Sequence, residues 1–238
     1  MQIEILTRTE QVRRAILEQI LSGVLRPGER LIEAKLSKEI GVSQATVNAA
    51  LQDLHNQGLV TKRLNRSTNV SRYTLADIER LFSVRVLLEP AAVQAVSAAW
   101  SVEAQNCLQE QVNQLRRAAR AKDLAKWGIA DYTFHQEIYR LSANPYLIQA
   151  AQAIAAAPFA YVLCDHPQGL PTDYLAMAQD HQDMVEAMAE NPEAAARVTR
   201  RFIEEWLNHS RRALQQAAGG AAQPERSEAR ILSTKENP

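Results

Sequence analysis

The sequence predicts a mainly α protein: an N-terminal winged helix-turn-helix followed by an all-helical C-terminal bundle. Three observations carry this expectation. Only 8 Gly and 9 Pro occur in 238 residues, too few for the turns of a β-rich chain. Residues 32–60 read as a helix, a tight turn at Gly41 and a second helix opened by Ser43. Beyond residue 72 the pattern is helical throughout, punctuated by Pro90, Pro145, Pro158, Pro167, Pro171 and Pro192.

Taken in order, Thr9 reads as the cap of a first helix, Glu10 to Ser22, with Val12, Ala15, Ile16, Ile20 and Leu21 at helical spacing. Gly23 ends it, and residues 26–30 form a turn. A second helix spans about Ile32 to Ile40, and Gly41 supplies the positive φ that follows it. Ser43 caps a third helix, Gln44 to Gln57, with Val47, Leu51 and Leu54 facing inward. Residues 59–62 and 69–72 are short β-prone runs around Arg63, Leu64, Asn65, Arg66, Ser67 and Thr68, which reads as the wing. Helices follow over roughly 75–99, 102–121, 123–142, 145–155, 171–190 and 192–216. These patterns divide the chain into a DNA-binding domain at 1–73 and a helical domain at 74–217, to which the family resemblance described below assigns effector binding and dimerisation. Residues 218–238 form a polar tail with little to bury, expected to be disordered.

Composition narrows the class. Hydrophobic content of 46% and charged content of 23% are those of a globular protein. No apolar run approaches the roughly 18–20 residues of a membrane span, and the N-terminus lacks a signal-peptide pattern. Cys107 and Cys164 are too few for a disulfide framework. A cytoplasmic protein that needs no membrane fits all of this. The formal net charge is zero, yet residues 1–72 hold 11 basic and 7 acidic side chains while the remainder holds 16 and 20. A basic head on an acidic body suits a chain that meets phosphate at one end only.

The chain resembles the GntR regulators, in the FadR-like branch with a C-terminal FCD domain. The N-terminal likeness lies in Ile20, Gly23, Leu25 to Leu31, Leu36-Ser37, Gly41-Val42-Ser43, Val47, Ala50-Leu51, Leu54 and Gly58-Leu59-Val60. The C-terminal likeness lies in Arg85 with Leu88-Glu89, Asp131 to His135, and Asp180-His181. The resemblance implies a homodimer on a palindromic double-stranded DNA operator, controlled by a small carboxylate effector that in many members binds beside a metal ion.

In a helix-turn-helix the N-terminal residues of the second helix reach base edges in the major groove. Those positions are Ser43, Gln44, Ala45, Thr46 and Asn48. The family commonly has Arg where this chain has Ala34, Gln44 and Asn48. Arg reads guanine, whereas Gln and Asn pair bidentately with adenine, so a half-site richer in A·T is expected. The competing reading makes Gln44 and Asn48 polar surface positions of a weakened binder. Phosphate contacts would come from Arg8, Arg30, Lys35, Lys62, Arg63 and Arg66, with Asn65 at the wing tip.

In the C-terminal domain Asp131 and His135 are four apart and project from one helix face. With His181 they make a carboxylate and two imidazoles, a donor set for one divalent transition metal such as zinc or nickel. The resemblance places a further His near Ile203, with Phe202 beside it, and a small shift reaches Trp206; none of these is a ligand. His209 would face roughly 120° away. Two readings therefore stand: a metal on three protein ligands, or a metal-free pocket where His135 and His181 hydrogen-bond an acid. Arg85 is the candidate for the effector carboxylate, or else a salt-bridge partner of Glu89. Trp127, Tyr132, Tyr139 and Tyr161 line the pocket or serve as packing.

The expected function is a ligand-controlled transcription regulator, a repressor of a catabolic operon, and not an enzyme. A constitutive DNA-binding factor with a degenerate ligand domain is the alternative. A metalloenzyme using Asp131, His135 and His181 is the remote one.

Overall fold

The computed structural model describes residues 6–63, 67–154 and 173–220. Within them the chain runs α1 (Arg8–Leu21), β1 (Arg30–Leu31), α2 (Glu33–Ile40), α3 (Gln44–Asn56), β2 (Val60–Arg63), β3 (Ser67–Val70), α4 (Leu75–Ala98), α5 (Val102–Ala121), α6 (Leu124–Leu141), α7 (Pro145–Gln152), α8 (Tyr174–Glu190) and α9 (Pro192–Gly220). The mainly α architecture with a winged head is as the sequence predicts. Arg63 ends a strand, but its side chain and all of Asn65 and Arg66 lie outside the described residues, as do Tyr161, Cys164, Pro158, Pro167, Pro171 and the tail from 221.

The head differs from expectation at its first cap. Thr7, not Thr9, opens α1, because Glu10 stands three residues after it. The Thr7 hydroxyl accepts the Glu10 N–H at 3.2 Å, and the Glu10 carboxylate accepts the Thr7 N–H at 2.7 Å. Gly41 closes α2 at φ 75°, and Ser43 then caps α3 by accepting the Thr46 N–H at 3.1 Å. The sheet has a third strand that the sequence pattern does not reveal. The two-residue β1 joins β3 on the side away from β2, pairing Arg30 with Asn69 and Leu31 with Thr68. Ile16, Ile20, Val47, Leu51, Leu54, Leu59, Val60 and Val70 close the core between the helices and this sheet.

The C-terminal helices follow the expected segments closely. Along α5 the buried Ala104, Leu108, Val112, Leu115 and Ala118 recur every three or four residues and form one stripe. Pro90 does not end α4. It cannot donate to the Val86 carbonyl four residues back, and that carbonyl instead accepts from Arg200 of α9 at 3.4 Å. By length and composition α4 is apolar enough to cross a membrane, the one such helix among the described residues. In the bundle it packs Ile78, Phe82, Ala92, Val93 and Val96 into the core and holds an ion-paired Arg85 and Glu89 between them.

The two regions meet through α6. Tyr132 is counted in the hydrophobic core of the head, where Ile129 packs beside it. The Tyr132 hydroxyl lies 3.2 Å from Gln57 Oε1, and Gln57 is the C-cap residue of α3.

Candidate functional site

The surface of the head that would face DNA is built on α2 and α3. Ser43, Gln44, Ala45 and Asn48 are exposed and Thr46 is half-buried. The Ser43 and Thr46 hydroxyls lie 2.8 Å apart, so both take part in the cap. Asn48 is engaged: its Nδ2 donates to Glu33 Oε1 at 2.7 Å, fifteen residues earlier at the start of α2. Lys35 sits on the exposed side of α2, with Nζ 3.8 Å from Glu39. Arg8 and Arg30 lie at the start of α1 and in β1, and Lys62 is in β2 opposite Thr68. The structure thus brings the recognition-helix candidates together, while the wing-tip group is outside the described residues.

The second candidate site is buried between α4, α6, α8 and α9. Arg85, Glu89, Asp131, His135 and His181 are each at most 5% exposed. Helical spacing puts Arg85 and Glu89 on one face of α4, and Asp131 and His135 on one face of α6. Arg85 Nε donates to Glu89 Oε2 at 2.7 Å, and its Nη2 lies 2.8 Å from His135 Nε2. His135 Nδ1 lies 2.8 Å from Glu89 Oε1. A guanidinium can only donate, so His135 carries its proton on Nδ1, donates to Glu89 and accepts from Arg85 through Nε2. Burial, helped by the Arg85 charge, holds its pKa below the usual histidine value and keeps the ring neutral. The carboxyls resist burial instead. The Arg85 charge beside Glu89 holds that group far below the usual carboxylate range, against the desolvation that would raise it. For Asp131 the polar contact with His181 at 3.0 Å outweighs the same desolvation, and its pKa is also lowered. So the salt-bridge reading of Arg85 is met: it is a buried partner of Glu89, and it also points onto His135.

His181 is arranged differently. Its Nδ1 lies 2.7 Å from the Met177 carbonyl, which can only accept, so the proton is on Nδ1. The bare Nε2 is buried, and although Asp131 Oδ1 is 3.0 Å away, the pair lacks hydrogen-bond geometry. A lone pair facing a carboxylate oxygen wants a cation between them. Asp131, His135 and His181 each offer one ligand atom within 4.8 Å of the others, and His135 Nε2 is 3.8 Å from Asp131 Oδ1. Ligands about 2.0–2.1 Å from a tetrahedral metal sit roughly 3.4 Å apart. The donor set therefore fits a divalent transition metal, with the carbonyl-anchored Nδ1 of His181 as the usual outer support. One contact opposes it: His135 can ligate through Nε2 only by giving up its bond to Arg85.

Phe202 packs against both imidazoles. Its ring centroid lies 5.1 Å from that of His181 and 6.1 Å from that of His135, and the Arg85 guanidinium lies 5.8 Å from its centre. The sequence pattern points at Ile203; both residues are buried in the core, and Phe202 is the one against the imidazoles. His209 stacks on Trp206 at 5.6 Å and is not part of the cluster. Of the candidate aromatics, Trp127 packs edge-on against His181 and Tyr174. Tyr139 lines a cavity of about 10 Å³ with Arg85, Glu89, His135, Gln136, Ala151 and Ile154, room for about one water. Tyr132 faces the head instead. A larger open groove of about 580 Å³ lies between the end of α1 and the α5–α6 turn, but Lys122 and Asp123 are its only charged lining residues and the chemistry is elsewhere.

Sequence reasoning missed Glu33, which carries no local signal because it matters through a residue on another helix, and named Phe202 only as the neighbour of Ile203.

Comparison with known proteins agrees with this geometry. Residues 8–70 match the model of bacterial regulatory proteins of the gntR family, and residues 80–230 match the FCD domain. A probable D-xylose utilization operon transcriptional repressor of Paenarthrobacter nicotinovorans is 26% identical over 206 residues, covering 85% of this chain and 89% of that protein. The gluconate operon transcriptional repressor of Bacillus licheniformis is 26% identical over 131 residues, 55% of this chain and 53% of that one. Among solved structures, E. coli McbR/YncC superposes with a TM-score of 0.71 at 20% identity, covering 87% of this chain and 99% of the other. A GntR regulator from Rhodococcus sp. RHA1 gives 0.69 at 24%, covering 87% and 98%. These matches are to regulators of transcription, and the metalloenzyme reading of Asp131, His135 and His181 falls with them. A helix-turn-helix head, a helical body and two family matches in the same order establish that the chain belongs to the GntR family of DNA-binding transcriptional regulators, with an FCD domain after its head.

Proposed function

We propose that this regulator is a homodimeric repressor of a catabolic operon, acting in the cytoplasm, that is released from a palindromic operator by a small carboxylate. The effector would enter the buried site between α4, α6, α8 and α9. Asp131, His135 and His181 would hold a divalent transition metal there, which would supply a positive charge and an open coordination position for the carboxylate. The observation that carries this is the buried His181 Nε2, without a hydrogen bond and facing Asp131. Charge supports it. Among Arg85, Glu89 and Asp131 one positive charge stands against two negative ones, a balance unfavourable to an acid; a divalent cation would reverse it. The Arg85 bond to His135 favours a second reading, a metal-free pocket in which Arg85 itself turns to the acid.

The test begins with DNA enriched from random sequence by the full chain. Operator affinity is then measured by fluorescence anisotropy with zinc, nickel and a panel of small carboxylates. The first reading expects metal uptake that Asp131→Asn and His181→Ala abolish, and an acid that weakens DNA binding only in the metal-loaded protein. An acid that acts equally after chelation supports the metal-free pocket. Binding insensitive to every acid, with or without metal, overturns both and leaves a constitutive DNA-binding factor.

A further inference from the structure

The contact between Glu33 and Asn48 joins the first turn of α2 to the exposed face of α3. Its geometry is short, 2.7 Å from Nδ2 to Oε1, and it crosses between helices. Glu33 is half-buried and Asn48 exposed, so the carboxylate stands at the edge of the same surface as Gln44 and Ala45. Its other attachment is to its own helix, as the acidic residue of the first turn of α2, where the helix dipole favours it. In the head 11 basic side chains outnumber 7 acidic ones, and an anion on the groove-facing surface runs against the pull of phosphate.

An asparagine amide has two N–H donors and one carbonyl acceptor. Left alone on a helix surface it rotates and can present either end. With one N–H given to Glu33, the amide plane is fixed, and one donor and the acceptor remain. Adenine needs that pair: N7 accepts and the N6 amine donates. Guanine presents two acceptors at the same edge, O6 and N7, which a carboxylate repels and which an arginine would have satisfied.

We propose that Glu33 is a specificity-determining residue of the DNA-reading surface, its carboxylate fixing the Asn48 amide for adenine and rejecting guanine at that base pair. This rests on the reading of α3 as the helix in the major groove. Two roles are separable. Orientation depends on the hydrogen bond to Asn48; rejection depends on the charge.

The experiment is enrichment of random DNA by the full chain, followed by sequencing, for the wild type and for Glu33→Gln, Glu33→Asp, Asn48→Ala and Gln44→Ala. Thermal melting of each variant confirms folding before selection. Asn48→Ala is expected to flatten the preference at one base pair of each half-site, and Glu33→Gln to alter the same pair by raising guanine about tenfold relative to adenine. Glu33→Asp keeps the charge but draws the carboxylate back from the amide, so it weakens adenine preference without admitting guanine. Glu33→Gln also tightens binding to unrelated DNA and leaves a steeper salt dependence. If Asn48→Ala changes one base pair and Glu33→Gln changes none, or changes a different one, the role of Glu33 is overturned while the placement of α3 stands. If neither Asn48→Ala nor Gln44→Ala alters any base preference, the placement of α3 is wrong and this proposal falls with it.

Discussion

The head and the body of this protein keep their polar groups in opposite ways. In the head Gln44, Ala45 and Asn48 stand in solvent on α3, and local caps hold the helix that bears them. In the body Arg85, Glu89, Asp131, His135 and His181 are sealed between four helices, and bonds between helices hold them. The difference is one of consequence. An exposed group can change and alter only what the protein reads. A buried charged group cannot change without exposing its partner to an apolar interior. The head is thus free to drift in sequence preference, while the body keeps its charged set together or loses its fold.

Removing one buried partner gives the largest expected effect. Glu89→Ala leaves the Arg85 guanidinium in the core without its carboxylate, and breaking such a pair costs about 3–5 kcal/mol. Urea unfolding should show that loss in the midpoint. The contrasting variant, Lys35→Ala, deletes the exposed partner of Glu39, 3.8 Å away, and should cost below about 0.5 kcal/mol. Equal losses in the two variants would break the comparison.

Phe202→His sharpens it from the other side. The new imidazole would stand over the rings of His135 and His181, where the wild type has an apolar wall. Zinc affinity, measured by competition with a chelating dye, should rise at least about tenfold. DNA affinity of the metal-free protein should not change. An unaltered zinc affinity would mean that the missing ligand belongs elsewhere than position 202.

What the sequence makes legible follows the same division. Elements set by neighbours in the chain were readable: α5 at Val102–Ala121 matches its expected span, α4 ends one residue early, and Ser43 caps α3 as the Ser before a helical run should. Thr7 was legible too, had Glu10 been read as its capping-box partner. Pro90 falls inside the helix expected over 75–99, and it took the structure to show that Arg200, 110 residues on, donates to the Val86 carbonyl that Pro90 leaves free. Strand β1 is two residues long and exists because β3 offers it an edge. In the buried site, spacing alone put Asp131 with His135 on one face. It could not show that Glu89 takes one nitrogen of His135 and Arg85 the other, nor that Phe202 rather than Ile203 faces the imidazoles, because a one-residue difference on a helix turns a side chain by about 100°.

Ser43→Ala has a smaller effect and falls on the head alone. The Ser43 hydroxyl accepts the Thr46 N–H at 3.1 Å, and loss of an N-cap costs about 1 kcal/mol. A melting curve of the full chain measures it, and zinc affinity in the body should be unaltered. A change in zinc affinity would mean that the start of α3 is coupled to the buried site.

A last variant, in α6, tests how the two regions communicate. Asp131 and Tyr132 are consecutive on α6, so one faces the buried site and the other the head, where its hydroxyl meets Gln57 at the end of α3. A shift of α6 that accompanies occupation of the site would reach the C-terminus of the recognition helix through that contact. Tyr132→Phe keeps the ring and removes the hydroxyl with its contacts to Gln57 and to Arg13 of α1, worth about 1–3 kcal/mol in all, while metal-free operator affinity should hold within about twofold. The change in operator affinity on adding zinc should shrink, by up to about fivefold if the whole of the Gln57 contact is spent on coupling. An unchanged zinc effect in Tyr132→Phe would remove the Tyr132–Gln57 contact as the route.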